Sequence, residues 1–306
     1  MNGANWMAGK YGIMVHYLPE SAPRSGKKQT DYQVMAEEFD VDLFVRKIKE
    51  MGAAWAIFPF GQNSGFYWSP NAVIEKYSPG RCAKRDLVME IAVALKKENI
   101  RLIAYIPTEM DGQSEEMRRA YSWDESADKK EFMRKYSEVL REYGEKFGDL
   151  IAGWWFDGCY NAREKEFLRT RDWDNTRFDK ENWITTVKGG NKERIFAMCT
   201  GANQMGYVFE EEEYLAGEAS GLERYPSDLK LPGKQWHCLF WLDCPWAHTT
   251  VGEIEPPKFG DEALIRYVKI CLAQKGALTL NIGIYEDGTL AEKTVRQIIK
   301  LKENLD

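Results

Sequence analysis

The chain has 306 residues, 44% apolar and 29% charged, with a net charge of −6, enough for one large barrel or two modest domains of an ordinary globular protein. The acidic balance, without any basic cluster interleaved with aromatics, argues against a nucleic-acid partner. The longest apolar run, Ala53–Phe60, is too short to cross a bilayer, so no membrane partner is expected.

Taken in order, short β-rich runs alternate with helical patterns. Tyr11–Val15 reads as a first strand and runs into His16-Tyr17-Leu18-Pro19. No Gly-rich phosphate loop follows it, which disfavours a doubly wound open sheet. Asp40 then caps a helix whose apolar face is Phe44, Ile48 and Met51. A second strand, Ala53–Pro59, leads to Gln62-Asn63-Ser64-Gly65-Phe66, and Val88, Ile91 and Leu95 mark the next helix. The third strand, Arg101–Pro107, leads to Thr108-Glu109, and Lys129–Phe147 is helical with Phe132, Tyr136, Val139 and Tyr143 inward. Ala152–Phe156 is a strand ending at Asp157; Arg194–Met198 ends at Cys199-Thr200; Tyr214–Gly217 ends at Glu218. Gly201–Tyr207 and Ser220–Gly233 are Gly/Pro-punctuated loops, so helices five and six should be short or missing. His237–Leu242 ends at Asp243, a helix carries Leu264, Tyr267, Val268 and Cys271, Ala277–Ile282 is the eighth strand, and Val295, Ile298 and Ile299 mark the last helix.

This alternation predicts a closed α/β barrel of (β/α)8 type forming one catalytic domain over residues 1–306, since no linker-like stretch divides it. The active site of such a barrel lies at the C-terminal ends of its strands. His16, Asp157, Glu218 and Asn281 should therefore gather at one end. Asp157 follows Trp154-Trp155-Phe156 and precedes Gly158, so its carboxylate should be rigidly held at the mouth; the plainer reading is a structural cap. The 11 Trp, 15 Tyr and 14 Phe lean slightly towards carbohydrate, because flat rings stack on sugars as well as filling cores.

His237, Cys238, Cys244 and His248 could be drawn as a zinc site. Their spacing fits no common finger, and His237 and Cys238 should point to opposite faces of a strand; the six scattered cysteines read better as small buried hydrophobes. Neither metal nor cofactor is expected. Met1–Glu20 carries no export signal, which fits a cytoplasmic protein as given, or a periplasmic or secreted one whose signal has been trimmed.

Four stretches, in order, resemble family 29 glycoside hydrolases, the α-L-fucosidases. Lys10–His16 is similar to that family's strand-one motif, and Phe39–Trp68 to its first helix, second strand and aromatic loop. Trp154–Gly158 resembles its nucleophile strand, and Leu278–Gly283 with Asp287-Gly288-Thr289 its strand-eight signature. The family's C-terminal β-sandwich has no counterpart in this sequence. The resemblance implies a retaining mechanism, in which one carboxylate attacks the anomeric carbon and a second serves as acid and then base. Asp157 takes the first role and Glu218 the second, with Glu109 and Asp243 in reserve; the run Glu210–Glu213 competes but reads as a solvated loop. Expected sugar contacts are His16, Gln62, Asn63, Trp68, Tyr105, Trp155, Trp236 and His237.

The chain departs from the family where a pair of histidines and an Asp normally follow strand two; here stand Gln62, Asn63 and Ser64. Trp236-His237 replaces a usual Trp-Glu, and Tyr17 a usual Trp. The implied function is a glycosidase with altered sugar specificity. The alternative is a carbohydrate-binding barrel that kept the fold and lost the chemistry.

Overall fold

A parallel sheet covered by helices outside and filled by its own side chains inside must be apolar on both faces, and the strands here are. The computed structural model describes residues 3–62, 64–110, 112–125, 129–159, 179–229 and 231–305. Its strands are β1 (Tyr11–Val15), β2 (Trp55–Pro59), β3 (Arg101–Pro107), β4 (Ile151–Asp157), β5 (Ile195–Met198), β6 (Glu218–Ala219), β7 (His237–Trp241) and β8 (Ala277–Ile282). All recorded pairings are parallel, in the order β5-β4-β3-β2-β1-β8-β7-β6. This is the strand order of a (β/α)8 barrel.

Between them lie α1 (Tyr32–Glu38), α2 (Val41–Glu50), α3 (Ala72–Tyr77), α4 (Leu87–Lys97), α5 (Glu115–Ala120), α6 (Lys130–Phe147), α7 (Lys180–Val187), α8 (Asp261–Ala273) and α9 (Glu292–Leu305). Asp40 caps α2 as its sequence predicts, accepting from Leu43 N at 2.8 Å. From β5 to β7 the described residues form no α-helix, only a short 3-10 turn at Pro226–Asp228. No helix among the described residues is long and apolar enough to cross a membrane.

Strand alternation sorts the side chains into two cores. Val15, Phe58, Ile106, Trp154, Phe156, Leu278 and Leu280 pack outward under the helices. Met14, Trp55, Ile57, Tyr105, Trp155, Ala197 and Leu239 fill the barrel. Gly12 is what admits the Trp55 indole, because a Cβ there would collide with the ring.

The backbone ladder does not close, which corrects the expectation of a fully closed barrel: β5 and β6 are its two open ends. The expected sixth strand at Tyr214–Gly217 is also displaced. Gly217 turns into the left-handed region at φ +45° and packs tightly on His237 O, so the approach makes only an isolated bridge, Tyr214 to Gln235, and regular pairing starts at Glu218.

Side chains seal this seam. Phe196 N donates to Glu213 Oε2 at 3.0 Å and Met198 N to Glu212 Oε2 at 2.9 Å, occupying edge amides that a neighbouring strand would otherwise take. Glu212 Oε1 also accepts from Val208 N and Phe209 N. The acidic run is thus not simply a solvated loop, since Glu212 is buried and Glu213 half-buried. Tyr214 adds a bond from its hydroxyl to Trp154 O at 2.8 Å.

Candidate active site

Alternation along each strand decides which residue faces the mouth. Counting upward from the buried inner layer, β1 leads to His16, β4 ends on Asp157, β5 leads to Cys199, β6 starts at Glu218, β7 ends on Trp241 and β8 carries Asn281. Tyr105 sits one layer lower on β3.

Asp157 is held at both oxygens. Gly158 N donates to Oδ1 at 2.9 Å and the Tyr105 hydroxyl to Oδ2 at 2.6 Å. Its main-chain carbonyl accepts from Thr108 N and Thr108 Oγ1, so backbone and side chain are both fixed. Trp155 stacks on Tyr105 with ring centroids 5.3 Å apart and planes 17° apart, and spends its Nε1 on Ala216 O. It is fully buried and supports Tyr105 from within the barrel; it does not reach the mouth as a sugar contact.

Glu218 is 7% exposed. Burial, then the nearby charge of Asp157, push its carboxyl up to about 8, against a lowering hydrogen bond from Cys199. Two carboxyl groups therefore share one mouth, with the protonated form of the buried Glu218 favoured at neutral pH. Glu109 is also buried, its side chain lying against Gly158. Asp243 is committed to structure, accepting from Gly283 N at 2.8 Å and Thr294 Oγ1 at 2.5 Å.

His16 Nδ1 and Asn281 Oδ1 are 2.8 Å apart. Asn281 Nδ2 donates to Trp246 O at 3.1 Å, which leaves Oδ1 as the acceptor, so His16 Nδ1 carries the proton and Nε2 is the ring's acceptor. Burial lowers the His16 pKa, favouring this neutral form. The His16 ring meets Tyr105 and Trp246 edge-on, at 5.3 and 5.9 Å.

Three expected sugar contacts are placed elsewhere. Trp68 is fully buried in the outer core; its ring packs on Tyr17 at 4.7 Å and its Nε1 donates to Tyr17 O. Trp236 and His237 stand at the N-terminal foot of β7, the end of the barrel away from the mouth. His237 donates from Nδ1 to Leu215 O and accepts at Nε2 from Thr279 Oγ1 at 2.7 Å; burial of the ring lowers its pKa to about 4, against the raising effect of the backbone bond. Cys238 points the other way, into the outer core. Among the described residues no group of three or more His, Cys, Asp or Glu is arranged to hold a metal ion.

Gln62 follows β2. Its carbonyl accepts from Gln113 Nε2 at 2.8 Å, while its buried Oε1 has no hydrogen-bond partner among the described residues. Asn63 lies outside the described residues.

Sequence reasoning missed Trp241 and Trp246. The signal for Trp241 was the period-two count from His237, which puts residues 237, 239 and 241 on one face. Lys258 Nζ lies 3.0 Å from its ring centroid and donates to Ser220 O. Trp246 carries no periodic signal; it adopts φ +66° in the loop after β7, where Asn281 binds its carbonyl.

The α-L-fucosidase family model matches residues 4–304. No curated protein matches the sequence. Among solved structures, the endo-fucoidan hydrolase P5AFcnA of glycoside hydrolase family 107 superposes with a TM-score of 0.70 at 14% identity, covering 99% of this chain and 93% of that one. The α-L-fucosidase AlfC from Lactobacillus casei, solved with its α-L-fucose product, gives 0.67 at 15% identity, with 100% and 98% covered. The endo-fucoidan hydrolase MfFcnA4 gives 0.70 at 15% identity over 98% of this chain, which spans about half (53%) of that protein. At such identities these structures are alike in fold.

Proposed function

Because this chain belongs to the α-L-fucosidase family of glycoside hydrolases, we propose that residues 1–306 act as one catalytic barrel that cleaves a fucose-related glycoside with retention. A carbohydrate substrate follows from the family. Asp157 attacks the anomeric carbon while the bond to the leaving oxygen breaks, and Glu218 gives that oxygen its proton. Ionised Glu218 then takes a proton from water, whose oxygen displaces Asp157 from the anomeric carbon and returns both carboxyl groups to their starting states.

The observation that carries this reading is the unequal pair at the mouth. Asp157 is oriented by two donors, whereas Glu218 is buried and inclined to hold its proton. One environment suits a nucleophile and the other an acid. His16, Gln62, Trp241 and Trp246 are the proposed sugar contacts among the described residues, together with Asn63.

The test is kinetics of two variants on aryl glycosides. Asp157→Ala should lose at least about 10³-fold in kcat with the fold intact. Glu218→Ala should lose less on substrates with good leaving groups and be rescued by azide. Near-normal turnover by Asp157→Ala would overturn the nucleophile assignment.

A further inference from the structure

Glu218 and Asp157 enter the mouth from opposite sides of the seam where the backbone ladder is open. No strand pairing sets their separation. At the level of the carboxyl groups a side-chain bond spans the gap: Cys199 Sγ donates to Glu218 Oε1 at 3.3 Å. Cys199 is itself fixed to the Asp157 side, since its amide donates to Phe156 O at 2.7 Å, one residue before Asp157.

We propose that Cys199 is a positioning residue for proton transfer, its thiol holding Glu218 Oε1 so that Oε2 carries the proton towards the glycosidic oxygen. The inference rests on the reading of Glu218 as acid and base. Cys199 is buried, and burial together with the charges of Glu218 and Asp157 keeps its thiol well above its ordinary range, so it remains a donor. A thiol is a weak one. It orients the carboxyl while favouring the ionised form less than a hydroxyl would, which suits a group that must keep its proton near neutrality.

Among the described residues, three strands set groups around Glu218. Asp157 faces it from β4 and Cys199 from the end of β5, while β7 sets apolar Leu239 opposite it in register. Lys258, from beyond β7, is bonded to Ser220 O, two residues on.

The experiment measures kcat/KM against pH for Cys199→Ala, Cys199→Ser and Glu218→Gln. The probes are aryl α-L-fucosides and α-L-galactosides whose leaving phenols are graded in acidity. Cys199→Ala should lose about tenfold on the poorest leaving groups and much less on the best, where proton donation matters least. Its alkaline limb should move up by about 0.5 unit, because a donor to the ionised carboxyl is gone. Cys199→Ser should recover the rate with the limb moved down; it also keeps the test open should the alanine variant fold poorly. An equal loss on every leaving group with an unmoved limb means a packing role only and overturns the proposal. If Glu218→Gln keeps the wild-type limb, the acid assignment falls and the proposal with it. If Glu218→Gln removes the limb while both Cys199 variants leave it in place, the proposal alone falls.

Discussion

The Tyr105 hydroxyl donates to Asp157 Oδ2 at 2.6 Å, from a strand whose register sets Pro107 beside Asp157 and Tyr105 beside Trp155. The donor therefore stands one layer below the carboxylate and bonds upward to it. Stacking on Trp155 locks the phenol in place.

Removing that hydroxyl should weaken catalysis without harming the fold. A hydrogen bond to a charged group contributes about 1.5–3 kcal/mol, so Tyr105→Phe is expected to lower kcat by roughly 10–100-fold. The ring and its stacking are retained, and thermal unfolding should stay close to wild type. Unchanged kcat would show that the Gly158 amide alone suffices to orient Asp157.

The pH dependence follows from Glu218. Its carboxyl is raised to about 8, and an acid donates only while protonated. The rate of the first step should hold through neutrality and fall as pH rises through about 8. A kcat/KM profile already declining near pH 5 would place the essential acid elsewhere, with Glu109 the next residue to replace.

The seam offers a stability test. Glu212→Ala leaves the amides of Met198, Val208 and Phe209 without their acceptor, and each buried unsatisfied group costs about 1–3 kcal/mol. Loss of at least about 2 kcal/mol is expected in urea unfolding, with a smaller loss for Glu212→Gln, which keeps one acceptor oxygen.

Burial holds the Glu212 carboxyl up at about 8 against an ordinary value of 4.5. Below 4.5 it is protonated whether folded or unfolded; between 4.5 and 8 only the unfolded chain ionises. Its contribution to stability is therefore lost as pH rises through that window. The Glu212→Gln variant should gain on wild type across the same window, and a pH-independent difference would contradict this.

Substrate choice is expected to turn on the loop after β2. Amides at Gln62 and Asn63 keep hydrogen-bonding capacity but differ from imidazoles in reach and direction. Two misplaced contacts at about 1–3 kcal/mol each would lower fucoside turnover by roughly 10²–10⁴-fold. Weak cleavage of an aryl α-L-fucoside is expected, with better cleavage of a relative such as an α-L-galactoside, and Gln62→His with Asn63→His should raise fucoside activity. Wild-type kcat/KM on the fucoside at or above about 10⁴ M⁻¹s⁻¹ would show that the missing histidines do not matter.

Strand alternation made the frame legible from residues alone. The ranges of β1, β3 and β8 follow directly from their apolar runs, and Asp157 is positioned by ending such a run. Local pattern did not reach as far as β6, where Gly217 bends the chain against His237, nor did it separate the two ends of β7. The family-like Trp236 stands at the foot of the strand, whereas Trp241 stands at the mouth.

What the sequence determined by itself is the order of the elements and the residue that ends each apolar run, because an apolar run and the place where it stops are properties of each strand alone. Only the tertiary structure decided that β5 and β6 stay unpaired, that Glu212 and Glu213 seal the gap, and that Cys199 meets Glu218 across it. Those contacts join residues whose neighbours in sequence say nothing of one another; they form only once curvature of the sheet brings its two ends together.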